Sequence, residues 1–150
     1  MERAAAVEVP SPGPGVGPGP SGSGPGGSGP GGSARLAVGR YGERLAAEHL
    51  QAAGMVVLDR NWRCRWGELD LVARDGDVLV GVEVRTRRSL AAGTPLESVT
   101  PRKVARLRRL LGLWRQDHPV RPAGLRLDVV AVVLPRSGAA RVQHVRGVGA

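Results

Sequence analysis

Two alternating runs, Glu68 to Ala73 and Val78 to Arg85, flank Arg74-Asp75-Gly76-Asp77. Asp-Gly between such runs is a strong hairpin signal, and no other segment limits the fold as much. A two-residue loop centred on Asp75-Gly76 pairs residues whose numbers sum to 151. Asp70 then faces Gly81, and Glu68 faces Glu83. Because side chains alternate along a strand, one face carries Glu68, Asp70, Gly81, Glu83 and Arg85. The opposite face carries Leu69, Leu71, Ala73, Val78, Val80, Val82 and Val84, and must be buried.

The flanks supply what covers that face. Leu36, Tyr41, Leu45 and Leu50 predict a helix from about Ala34 to Ala53, with Gly54 as its stop. Met55 to Leu58 reads as a short buried strand, and Arg60 to Gly67 as a basic, Trp-bearing connection. Ser89 to Val99 reads as a loop. Thr100-Pro101 opens a second helix, Thr as N-cap and Pro at the first helical position. Val104, Leu107, Leu111 and Trp114 line one face of it; Arg102, Arg106 and Arg109 line the other. Leu125 to Leu134 is a long Val-rich strand, and Arg141 to Val145 a last edge strand. The expected fold class is α/β: a sheet flanked by helices in the order α-β-β-β-α-β-β.

Composition divides the chain. Residues 1–33 are dominated from Pro10 onward by Gly, Pro and Ser, with no large side chain to bury. They are expected to form a disordered tail, and their glycines keep no three-residue period, which excludes a collagen helix. Residues 34–150 are expected to form one domain. The chain carries a formal net charge of +9, and residues 34–150 carry +10. Such a balance favours polyanions, nucleic acid first. With Cys64 as its one cysteine, the chain forms no internal disulfide, which fits a reducing compartment. No apolar run approaches a membrane span and no signal-peptide core is present. The reading is a cytoplasmic protein with no membrane partner.

The acidic face has a chemistry of its own. As diagonal neighbours, Asp70 and Glu83 would lie roughly 7–8 Å apart at Cα, close enough to share a metal ion. Gly81 leaves room beside them. Opposed like charges destabilise a sheet unless a cation lies between them, and hard divalent ions take oxygen ligands while keeping waters for substrate phosphates. Acids alternating with apolar residues also describe an ordinary solvated sheet face, with Arg85 as a surface ion-pair partner. The pattern alone leaves both readings open.

Gly42-Glu43, Asn61, Gly67-Glu68-Leu69-Asp70-Leu71-Val72, Val82-Glu83-Val84-Arg85-Thr86-Arg87, Lys103 and Arg126-Leu127-Asp128-Val129-Val130 occur in one order. This set resembles the YraN family of small bacterial proteins, which is similar to the PD-(D/E)XK nuclease and Holliday-junction-resolvase superfamily. The resemblance runs from about Val38 to Val133. It implies a restriction-endonuclease-like core and Mg²⁺- or Mn²⁺-dependent phosphodiester hydrolysis on DNA, branched or structured DNA included. Asp70 matches the superfamily's metal-binding acid, and Glu83 the second acid. Glu43 matches a helix-borne acid near the metal, and Glu68 belongs to the YraN-type motif and is counted among the metal set.

Arg85 departs from the superfamily pattern, which has lysine there. Arginine keeps the charge but does not deprotonate in proteins. Hence a second reading stands beside the first: a nucleic-acid-binding module that kept the fold and lost the chemistry. Lys103 could supply an amine, but nothing in the sequence places it near Glu83; it reads equally as one more basic residue of a solvated helix face. Arg87, Arg102, Lys103 and Arg106 are the expected phosphate contacts. Pairing with a second copy of the chain is allowed by this reading and not required by it.

The remaining candidates carry less. His49, His118 and His144 have no Cys partners at zinc-ligand spacing, and no P-loop run occurs. Cys64 lies between Arg63 and Arg65 and reads as a packed or idle thiol. Trp62 and Trp66, set among arginines, fit either base stacking or packing.

Overall fold

The computed structural model describes residues 30–89 and 95–149. Helix α1 spans Pro30–Ala52 and is followed by strands β1 (Val56–Cys64), β2 (Gly67–Asp75) and β3 (Val78–Arg87). A short 3-10 turn, Pro95–Ser98, leads to helix α2 (Pro101–Gln116), then β4 (Gly124–Val133) and β5 (Arg141–Val145). The fold class is therefore α/β, in the expected order. The five strands form one mixed sheet ordered β1-β2-β3-β4-β5. All neighbours are antiparallel except β3 and β4, which run parallel and are joined through α2. Residues 1–29, most of the expected tail, lie outside the described residues. Pro30 to Ser33 form the opening turn of α1 instead; proline suits a first helical position, where no N–H is needed.

Each face of the sheet buries its own core. Ala46, Ala47 and Leu50 of α1 pack on Leu71, Ala73, Val80, Val82, Val130 and Val132. Leu107, Leu110, Leu111 and Trp114 of α2 pack on Leu69, Val72, Leu79, Leu127 and Val129. This is why β2, β3 and β4 are nearly continuous in apolar residues, as a sheet covered on both sides must be. The expected helix face of α2 is present, with Leu110 added to the buried row. Thr100 caps it, its hydroxyl accepting from Lys103 N–H at 3.2 Å.

Three expectations change. First, the hairpin register is Leu71↔Val82, Val72↔Gly81 and Asp75↔Val78, a sum of 153 rather than 151. The loop is Gly76-Asp77, with Gly76 at φ 61° in its first position, where a tight hairpin most readily accepts a positive φ. A slip of two residues leaves each paired side chain on its face but changes its partner; Leu69, beyond the end of the ladder, is turned to the α2 face against expectation. Second, Gly81 leaves no room for an ion: a Cβ there would stand 3.1 Å from a Leu127 methyl and 3.4 Å from one of Leu111. The face expected to be acidic is thus covered by α2 over most of its length. Third, the basic connection is strand. Trp62 and Cys64 pack toward the α2 core and alternate with exposed Arg63 and Arg65. That period of two is disguised by charge and by a bulge between Val57 and Asp59.

Opposite the hairpin, β4 is tied down by a buried acid. Asp128 is 1% exposed. It accepts from Arg126 through Nε at 2.8 Å and Nη2 at 3.0 Å, and from Gly147 N–H at 3.0 Å, while His144 Nε2 lies 2.8 Å away. Burial pushes its carboxyl up, but these partners together hold it below the usual range. Arg126 also reaches Asp75 at 2.9 Å. Asp128 thus joins β4 to β5 and to the hairpin end.

Candidate functional site

The acids meet where the sheet stops being regular. The β2–β3 ladder ends at Leu71↔Val82. Asn61, across β1 from Asp70 by the register of that pair, has a positive φ of 50°, a conformation Asn tolerates better than most residues. Leu69 and Leu71, two apart, consequently enter opposite cores. At this break Asp70 leaves the ladder, and Val84 N–H donates to its Oδ2 at 2.8 Å. The carboxylate takes a bond that a backbone carbonyl would otherwise supply.

Asp70 is raised to about 7. Burial is the chief cause, the Glu83 charge the next, and Glu43 and Glu68 add to it against the Val84 bond. The other three acids singled out in the sequence therefore all act on this one carboxyl. Glu43 comes from α1, which lies close against β3 at Gly42; a Cβ on Gly42 would stand 2.9 Å from both Cβ and Cγ2 of Thr86 and nearer still to its Oγ1. The cleft between α1 and the end of β3, about 380 Å³, is lined by Arg35, Gly39, Glu43, Arg85, Thr86 and Arg88.

Cations answer the acids. Lys103 Nζ lies 2.6 Å from Glu83 Oε1, with the lysine side chain 17% and the glutamate 12% exposed. Arg85 Nη2 lies 3.3 Å from the same oxygen. The Arg85 Nε is buried without a hydrogen-bond partner, a donor left over at the wall of the cleft. Glu68 is turned outward to Arg63 at 3.1 Å, both largely exposed, so that pair contributes little.

Lys103 thus differs from its expected place on a solvated basic face. It starts α2 and points back onto β3, because the Thr100 cap and Pro101 set the first turn against the strand. Arg102 and Arg106 are exposed, as expected, and Arg87 is half-buried beyond Arg85. Among the described residues no three His, Cys, Asp or Glu side chains are gathered so as to hold a metal. Asp70, Glu83, Glu43 and Glu68 are neighbours in charge, not a finished cage. Glu83 is bound by two cations, Asp70 by a backbone N–H, and Glu68 by Arg63. The donor set still fits a hard divalent ion: Asp70 and Glu83 offer oxygen ligands, and a cation would relieve the repulsion that raises Asp70.

Sequence reasoning could not find the Lys103–Glu83 contact, which joins residues on different elements. Nor does the sequence place Trp66. Trp66 is 48% exposed, with the guanidinium carbons of Arg65 and Arg109 at 4.5 and 4.4 Å from its ring centroid. Trp62 is half-buried and packs against the α2-side core.

A model of "Uncharacterised protein family UPF0102" matches residues 42–132. The chain belongs to UPF0102. This is the YraN family whose motifs the sequence carries. A UPF0102 protein of Kineococcus radiotolerans is 66% identical over 116 residues, covering 77% of this chain and 95% of the relative. One from Nocardioides sp. is 60% identical over 113 residues, covering 75% and 91%; one from Beutenbergia cavernae is 59% identical over 116 residues, covering 77% and 98%. The UPF0102 match opens at Gly42, where α1 touches β3, and contains Glu43, Asp70, Glu83, Arg85, Lys103 and Asp128.

Proposed function

We propose that this UPF0102 protein is a metal-dependent endonuclease-like enzyme of the PD-(D/E)XK type that hydrolyses phosphodiesters in DNA. One observation carries the reading: Asp70, raised to about 7 by burial and by Glu83, Glu43 and Glu68, shares its corner of the sheet with an ammonium and a guanidinium on Glu83. Clustered acids that disfavour each other's charge, beside paired cations, suit a site that holds a divalent ion against a phosphate. Asp70 and Glu83 would hold Mg²⁺ or Mn²⁺, with Glu43 and Glu68 as further acids. Such an ion supplies positive charge at the scissile phosphate and makes water more acidic.

The chain's own groups do the rest. Arg85, its side chain about one-third exposed, offers its guanidinium to phosphate oxygens. Lys103 supplies what Arg85 lacks, an amine able to give up and take back a proton. Held on Glu83, it can orient the attacking water or protonate the leaving oxygen. The expected result is Mg²⁺- or Mn²⁺-dependent cutting of linear, branched or single-stranded DNA, reduced at least about 100-fold by Asp70→Ala, Glu83→Ala and Lys103→Met. Metal-dependent cutting that survives both acid substitutions overturns the assignment.

A second reading is favoured by Glu83 being already neutralised by two cations: a DNA-binding module without turnover. Arg85→Lys separates the two. Cutting that appears only in that variant makes the natural protein a binder.

A further inference from the structure

We infer that Trp66 is a stacking platform for an unpaired base of the DNA strand whose phosphate lies at the acid site. The substrate class is therefore DNA with unpaired nucleotides beside the bound phosphate, a single strand or the branch of a junction, in preference to continuous duplex. The inference rests on the nucleic-acid reading above and narrows it.

The chain has three tryptophans, and the structure uses them differently. Trp114 is 2% exposed, with its indole N–H donating to Asp59 Oδ2 at 2.8 Å. Trp62 packs against the α2-side core. Trp66 stands at the β1–β2 turn, about half exposed. That turn has a firm seat: a Cβ on Gly67 would lie 3.2 Å from a methyl of Leu110, itself 1% exposed. Trp66 thus presents a large, half-exposed indole with two guanidiniums over its ring, an apolar body with a polar handle.

Its neighbours define the partner. Arg65 and Arg109 lie within cation–π distance of the ring, and both are exposed. A guanidinium binds a phosphate oxygen through fixed paired donors, so a passing backbone can draw either arginine off the ring and free a face for a base. Successive turns of α2 link this platform to the acids. Lys103 is on Glu83, Arg106 is exposed on the next turn, and Arg109 is on Trp66. Six residues at 1.5 Å rise span about 9 Å, two to three stacked nucleotides at 3.4 Å each. One strand can follow that row from the acids to the indole. A duplex keeps its bases paired and offers none to stack.

The test uses the full chain in EDTA, so that binding is read without cutting. The probes are an oligothymidine strand, a duplex of equal length and a polyglutamate peptide. The strand is expected to quench tryptophan fluorescence. Trp66→Ala is expected to weaken the strand roughly tenfold and the duplex less than twofold. Trp66→Phe is expected to keep most of the affinity and lose the quench, which a folding defect would not do. Equal effects of Trp66→Ala on strand and duplex, or polyglutamate binding as tightly as the strand and weakened as much, overturn the inference. If DNA binds and Trp66→Ala discriminates nothing, this inference alone falls. If no form of DNA binds, the nucleic-acid reading falls with it.

Discussion

Asp70 shows how one side chain can be held in the protonation state its own chemistry disfavours. Its carboxyl is raised from 3.8 to about 7 by burial, and then by Glu83, Glu43 and Glu68. Between those two values the folded chain keeps a proton that the unfolded chain has released. Stability is therefore fully present below about pH 4 and is lost as pH rises through 7. In EDTA, Asp70→Asn is expected to be more stable than wild type at pH 8 by on the order of 2 kcal/mol, and to converge with it near pH 4. Denaturant titration at several pH values reads this. Mn²⁺ should stabilise wild type more at pH 8 than at pH 5, since a cation favours the charged form, and should leave Asp70→Asn nearly unmoved. A wild type whose stability does not fall relative to Asp70→Asn between pH 5 and 8 would contradict the account of this carboxyl.

Two elements bring partners to that acid. Helix α1 approaches β3 so closely at Gly42 that a methyl group there would lie 2.9 Å from two Thr86 carbons. Alanine improves intrinsic helix propensity by about 1 kcal/mol, yet the clash forces the helix off the strand. Gly42→Ala is expected to destabilise by roughly 1–3 kcal/mol and to move Glu43 away from Asp70. Thermal unfolding reads the first effect. A smaller shift of stability between pH 5 and 8 reads the second. A Gly42→Ala variant as stable as wild type would mean that the contact is not close. Helix α2 acts from the other side. Its Thr100 cap and first turn hold Lys103 against Glu83, while later turns carry Arg106 and Arg109 outward.

At the scale of the molecule, two helices on opposite faces of one sheet each bring a basic residue toward the end of the β2–β3 ladder, Lys103 from α2 and Arg35 at the cleft from α1. A module of charge +10 that engages about four phosphates should lose roughly 100-fold in duplex affinity between 50 and 200 mM salt. Equilibrium binding at four or five salt concentrations gives the slope. Affinity indifferent to salt would remove the electrostatic basis of DNA binding. Among the described residues no helix is long and apolar enough to cross a membrane.

The order of elements, the buried row of α2 and its Thr100 cap are legible in the sequence because each depends on near neighbours in the chain, whereas Glu43 is singled out only by the family resemblance. Period, capping and turn chemistry act over a few residues. The register is not legible because both Asp75-Gly76 and Gly76-Asp77 make acceptable loops, and only packing of both sheet faces selects between them. The full length of β1 is hidden for a related reason: arginines alternating with Trp62 and Cys64 look like a loop until a sheet supplies the core that Trp62 and Cys64 face. Lys103 on Glu83, and Arg109 on Trp66, join residues with no local relation at all. Sequence by itself determined which residues are acids, cations and aromatic rings, because identity and local period are written along the chain. Tertiary structure alone decided which of them meet, because burial of two apolar faces sets the distances between elements.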